Sequence, residues 1–477
     1  MRPAMRMSWA AAVLLAVSAA AGRSEPTLPA GLGGASEPSL PVGLGGASEP
    51  SLPAGLGTGT SGAAEASADG EGGTWSIPFD FSGFADARVG VRTQNDPYEK
   101  DMSLGEFRVQ GEAEKAWRDW SARIRADLLY DPVYDHETVD LATGRGWFDL
   151  REARVALTPL PFVDLKIGRQ IITWGTGDLL FINDLFPKDW QSFFIGRDVE
   201  YLKAPSDAVV ASFFSPAANL DLVYAPCFNA DRYIDGSRLS YFNPLLDRIA
   251  GRDAVLRTER PQTWFTDAEA SARLYRTFGG YELAAYGYYG FWKSPAGFDP
   301  GSGEWTFPRL SVYGLSGRGP VGPGIGNLEC GWYDSRDDAS GSDPLVKNGE
   351  LRFLAGYEQE LFADFNAAAQ YYLEVLLNYD RYREVLPPGE HPRDEARHVL
   401  TLRLTWRLLR QNLVLSFFGY CSPSDRDFYL RPNVSYRFDD HWTAEAGANV
   451  FWGEDDWTFF GQFAQDSNVY LAARYGF

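Results

Sequence analysis

Cysteine is almost absent. The 477 residues hold three, Cys227, Cys330 and Cys421, far apart, with no CxxC pair and no neighbouring histidine. That excludes a disulfide framework and a zinc-type ligand set, and leaves isolated small residues in strands and loops. Histidine is nearly as scarce, at four (His136, His391, His398, His441), so a hydrolytic site would have few bases to choose from. His398 shares the phase of Leu400 and Leu402, whereas Ser416 lies in the opposite phase to Leu415 and Phe417. No catalytic residue, cofactor or metal is expected, and the chain does not read as an enzyme. Long apolar runs are missing beyond the N-terminus, where none approaches the roughly 20 residues a spanning helix needs. Positive charge is in deficit, 44 Lys and Arg against 64 Asp and Glu for a formal charge of −20, which argues against nucleic acid as a partner.

Aromatic residues are plentiful, with 15 Trp, 24 Tyr and 31 Phe. The N-terminus reads as a secretory signal over residues 1–21: Arg2 and Arg6, an apolar run from Trp9 to Val17, then Ala19 to Ala21. Removing it takes away two Arg and no acid, deepening the formal charge from −20 to −22. Residues 22–76 form the next segment. A Ser-Glu-Pro phrase starts at Ser24, Ser36 and Ser48, rich in Pro and Gly and poor in large apolar groups, so a disordered tether is expected.

From residue 77 to the end the pattern changes to alternation at period two. Trp120, Ala122, Ile124, Ala126, Leu128 and Tyr130 stand against Ser121, Arg123, Arg125 and Asp127. Trp442, Ala444, Ala446, Ala448, Val450 and Trp452 stand against Thr443, Glu445 and Asn449. Such apolar faces with aromatic ends suit tilted strands crossing a bilayer, whose interfaces hold Trp and Tyr. About eighteen such segments fit, with sixteen as the alternative count. Short connections (Thr158 to Pro161, Phe278 to Gly280, Asp439 to Asp440) alternate with long ones (Asp131 to Gly146, Thr173 to Ser206, Pro226 to Trp264), as periplasmic turns alternate with external loops. The expected fold is all-β, a transmembrane antiparallel β-barrel.

The final stretch, Asn468 to Phe477, places Val469, Leu471, Ala473, Tyr475 and Phe477 on one face and stops on the aromatic. It resembles the closing strand of a bacterial outer-membrane β-barrel, where a terminal Phe is the mark read by the assembly machinery. Leu150-Arg151-Glu152-Ala153, Ile167-Gly168-Arg169-Gln170 and Trp174-Gly175 together resemble a group of porin-like outer-membrane proteins, distantly similar to alginate-export-type barrels. The resemblance implies an outer-membrane channel of a Gram-negative bacterium. Its partners would be the lipid bilayer with its lipopolysaccharide, the assembly machinery at Phe477, a small hydrophilic solute, and further copies of the chain if it oligomerises.

If the apolar faces meet lipid, the charges between them line a wet interior. Arg123, Arg125 and Lys166 are assigned there. Phe148 and Leu150 share one phase and Ala153, Val155 and Leu157 the other, so a bulge is expected near Arg151 and Glu152. A second slip near Gly168 would bring Arg169 inward, since Arg at mid-depth in lipid costs about 2–4 kcal/mol. The long segment Trp174 to Pro205 is too apolar for an exposed loop. It is expected to fold into the barrel mouth and narrow it, the alternative being packing on a neighbouring subunit or the outer rim. Its charges Asp178, Asp184, Asp189, Arg197 and Asp198 would then face Arg151, Arg154 and Arg169 across a polarised constriction. Passive or substrate-selective diffusion is the resulting function, with a surface-binding barrel acting through its loops as the alternative and an outer-membrane hydrolase as a distant third.

Overall fold

The computed structural model describes residues 79–134 and 138–477; the segments expected to be a signal and a tether, and His136, lie outside the described residues. Eighteen strands form one antiparallel sheet that closes on itself, each pairing with its chain neighbour and the last with the first. In chain order they are β1 (Asp80–Arg92), β2 (Met102–Ala116), β3 (Trp120–Tyr130), β4 (Phe148–Leu160), β5 (Val163–Gln170), β6 (Ser206–Phe213) and β7 (Asn219–Ala225). Then come β10 (Glu269–Phe278), β11 (Tyr281–Phe291), β14 (Arg309–Val321), β15 (Gly324–Ser335), β16 (Glu350–Phe362) and β17 (Phe365–Leu376). The wall ends with β18 (Ala396–Leu408), β19 (Leu413–Ser422), β20 (Asp427–Arg437), β21 (Trp442–Gly453) and β22 (Asn468–Gly476). Between them, β8 (Tyr241–Asn243) pairs with β9 (Arg248–Ala250), and β12 (Gly297–Asp299) with β13 (Glu304–Thr306), as short ribbons in the loops.

Closure removes every sheet edge, which satisfies the backbone polar groups that a membrane interior would leave stranded. At the seam, Phe477 and Gly83 exchange backbone hydrogen bonds of 2.9 and 3.0 Å, and the Phe477 ring stacks on Phe81 at 6.0 Å. Outside, Val89, Leu128, Leu283, Leu315, Leu328 and Leu471 are exposed, a belt that only lipid would cover. Trp442 and Trp452 mark its two ends on β21. The expectation of an eighteen-stranded transmembrane barrel holds.

Around the β5–β6 connection the interior is packed rather than open. Inward-facing Tyr333, Leu354, Tyr372, Val399, Tyr420, Tyr429 and Phe451 meet Ile182, Phe193, Phe194, Ile195 and Leu202 from the β5–β6 connection in one buried cluster. Hydrophobic area therefore stabilises the barrel from within, at about 25 cal/mol per Å² buried.

Candidate functional site

The connection 171–205 is organised by its own sequence before it meets the wall. A short helix, Trp190–Ile195, is capped by Asp189, whose carboxylate accepts from the Ser192 amide at 2.7 Å. Gly196 ends it at φ 93, where a Cβ would run into the Tyr470 ring. A 3-10 turn, Val199–Leu202, follows, capped by Asp198.

This segment makes two excursions towards the far wall. In the first, Glu329 of β15 gathers its donors: Oε1 accepts from the Thr176 amide, the Thr176 hydroxyl (2.9 Å) and the Gly177 amide (2.7 Å), and Oε2 from Asn183 Nδ2 (3.0 Å). Gln370 of β17 accepts from the Asp178 amide at 3.2 Å, Arg403 of β18 binds the Asp178 carboxylate, and the Tyr420 hydroxyl donates to the Leu179 carbonyl at 2.9 Å. The chain then returns, and Phe186 packs edge-on against Trp174 at 5.0 Å. In the second excursion, Tyr429, Asn468 and Arg88 donate to the carbonyls of Phe193, Phe194 and Gly196 at 3.3, 3.1 and 3.0 Å. The run ends with Arg197 on Glu106 at 2.5 Å, Asp198 on Arg474 at 3.2 Å and the Lys203 carbonyl on Arg151 at 2.7 Å.

The connection 226–268 lies against it. Arg232 is buried and clamps Asp149 with two bonds of 2.8 Å while reaching Asp189 at 3.3 Å. Asp231 accepts from the Lys188 amide (2.8 Å), Trp190 Nε1 (3.1 Å) and the Ser294 hydroxyl (2.8 Å). Burial pushes the Asp231 carboxyl above the usual range despite these donors.

The bulge in β4 is where the alternation requires it. Arg125 pairs with Glu152 and Ala126 with Leu150, so Arg151 is the extra residue. It reaches the interior, against the Tyr201 ring at 4.8 Å. Below the loop, Arg123 and Arg125 share Glu112 at 2.7 and 2.9 Å, and Arg154 lies 3.4 Å from Glu152. These side chains and exposed Lys166 form a partly open basic cluster.

Two expectations are corrected. The register of β5 runs through Gly168 unbroken against both β4 and β6, with Gly168 itself at φ 124. Arg169 therefore keeps its outward phase, opposite Ala153 and Asp207. It escapes the lipid penalty differently, through Asp207 at 3.0 Å, the Leu150 carbonyl at 2.6 Å and the Leu141 carbonyl of the β3–β4 loop. Nor do the loop acids face Arg151, Arg154 and Arg169. Asp178 pairs with Arg403, Asp184 with Lys188 at 2.9 Å, Asp189 with Arg232 and Asp198 with Arg474. A flexible loop satisfies each buried acid at the nearest cation, and sequence spacing does not reveal which wall that is. Among the residues singled out by sequence, Arg232 is missing, because its loop carries no periodic signal.

Above the first excursion a vestibule of about 1060 Å³ opens among the long loops, lined by Phe181, Trp190 and Phe193 below and by Trp292, Lys347 and Arg393 at the side.

No family model and no curated relative matches the chain. Among solved structures, OccAB3 of Acinetobacter baumannii is similar at 11% identity and a TM-score of 0.49, covering 83% of this chain and 99% of its own. OccK11 (OpdR) of Pseudomonas aeruginosa is similar at 11% identity and a TM-score of 0.48, over 83% and 95%. The outer membrane channel DcaP of A. baumannii gives 9% identity and a TM-score of 0.40, over 84% and 97%. The architecture itself rests on the closed strand ladder.

Proposed function

We propose that the chain is a porin-like channel of a Gram-negative outer membrane, through which small solutes or ions diffuse, and that the 171–205 loop narrows its path. A closed barrel with an apolar outer belt and a charged, partly wet interior supports a membrane-spanning conduit. The observation that carries the narrowing is the double excursion of the loop, which leaves a vestibule on the loop side and an open basic cluster beneath. Low-dielectric walls focus the field there, so charges around the loop outweigh the larger charge spread over the rest of the molecule. Phe477 at the seam fits engagement by the assembly machinery, and the exposed belt fits lipid.

Single-channel recording of the purified protein in a planar bilayer tests this reading. Deleting residues 176–183 should raise conductance. Unchanged conductance would place the loop outside the path, and absence of any conductance in the intact protein would overturn the channel reading.

A further inference from the structure

On one side of the vestibule the loop before β16 (Lys347), β16 itself (Arg352) and the loop before β18 (Arg393) bring three cations onto two carboxylates. Glu350, fully buried, takes Lys347 at 3.1 Å, Arg352 at 2.6 Å and Arg393 at 3.1 Å. Glu374 takes Arg393 at 2.7 Å, Arg352 at 3.5 Å and the Tyr372 hydroxyl at 2.9 Å. Both acids are saturated, and one positive charge is left over. The next cation, Arg397, is neutralised by Asp425 and adds nothing to the count. Two members are accessible: Arg393, about two-fifths exposed but shared by both carboxylates, and Lys347, about a quarter exposed, whose ammonium pairs with Glu350 and lies 4.2 Å from the Trp292 ring centroid.

The cavity beside this charge is aromatic. Phe181 and Trp190 lie edge to face at 6.0 Å, Trp190 and Phe193 at 6.2 Å, and Trp292 stacks on Tyr333 at 5.7 Å. The Trp190 N–H is already given to Asp231, so the ring offers the cavity an apolar surface. Asp231 holds three donors, and Asp184 is paired with Lys188, so neither invites a cation. The acids Glu390 and Asp394 stand exposed at the rim, where water screens them. A volume near 1060 Å³ holds a drug-sized molecule.

We infer that the vestibule is a capture site for amphipathic organic monoanions, the head group against Lys347 and Arg393 and the apolar body on the Phe181 and Trp190 rings. This rests on the channel reading for its transport consequence alone; binding itself does not. The occupant differs from the small hydrophilic solute that the sequence implies, because a wholly polar solute would leave the aromatic floor uncovered.

The test uses the full mature protein and three probes: 2-naphthalenesulfonate, the same ring carrying an ammonium (2-naphthylmethylammonium), and methanesulfonate. In a planar bilayer, naphthalenesulfonate on the loop side should block the current, with the other two at least about tenfold weaker. Lys347→Gln and Arg393→Gln should each weaken the block about fivefold to tenfold while Lys347→Arg keeps it. Equal block by all three probes, or block indifferent to both Gln variants, overturns the inference. Quenching of tryptophan fluorescence in detergent reads binding without current. Selective quenching in a protein that passes no current retains the capture site and removes the channel reading; current without selective block or quenching does the reverse.

Discussion

Arg403, pointing inward from β18, grips Asp178 in the middle of the β5–β6 connection, so two residues 225 positions apart join the loop to the opposite wall. Burial, helped by Glu358 and opposed by Arg403, pushes the Asp178 carboxyl up to about 6. The docked loop therefore binds this proton more tightly than a released loop. Docking is firmest in acid and weakens as pH rises from the ordinary carboxylate range to about 6, then levels off. Current noise should grow over that window, and Asp178→Asn should be quiet throughout. Arg403→Gln, which removes the opposing cation, should move the window upward. A trace independent of pH in the native protein would refute the link.

Glu329 offers a second handle on the same excursion. Glu329→Leu strands the Thr176, Gly177 and Asn183 backbone amides, at about 1–3 kcal/mol for each buried group left unpaired. Limited proteolysis should then cut within 175–184, where the native loop resists. Equal resistance would show that the carboxylate is dispensable.

Arg169 separates wall from lumen. Because it faces outward with Asp207 and two carbonyls, Arg169→Gln should leave reversal potential unchanged in a salt gradient. It should also lower the temperature at which the folded band is lost on gels, through loss of a buried charged contact worth about 2–5 kcal/mol. A shift in selectivity at unchanged stability would return Arg169 to the lumen.

The loops around β8 carry another pH dependence of the same sign. Asp466 is buried and bonded to Arg92 at 3.0 Å and to the Ser240 hydroxyl at 3.0 Å, yet burial, aided by nearby Asp96, pushes its carboxyl up to about 7. Loop packing contributed by this group is therefore complete below about pH 4 and declines as pH rises to about 7. Amide exchange in 454–467 should quicken across that interval, and Asp466→Asn should flatten the profile. Exchange that slows with rising pH, after correction for the intrinsic rate, would refute it.

The sequence by itself determined the wall. Period-two alternation along Trp120 to Tyr130 or Trp442 to Gly453 leaves one way to segregate lipid from water, and the alternation of short and long connections phases all eighteen strands. Even the bulge at Arg151 was legible, because a phase reversal between Leu150 and Ala153 needs an extra residue. Tertiary structure alone decided the partners of the loop charges. Lumen contacts such as Asp178 with Arg403 or Arg232 with Asp149 join segments with no shared period, and their choice depends on where a long loop lands once the barrel has closed. Arg169 shows the limit within a strand: the lipid penalty argued for a slip that would turn it inward, whereas it stays outward, because its remedy, Asp207 of the next strand with carbonyls from the preceding strand and from a loop, existed only after folding.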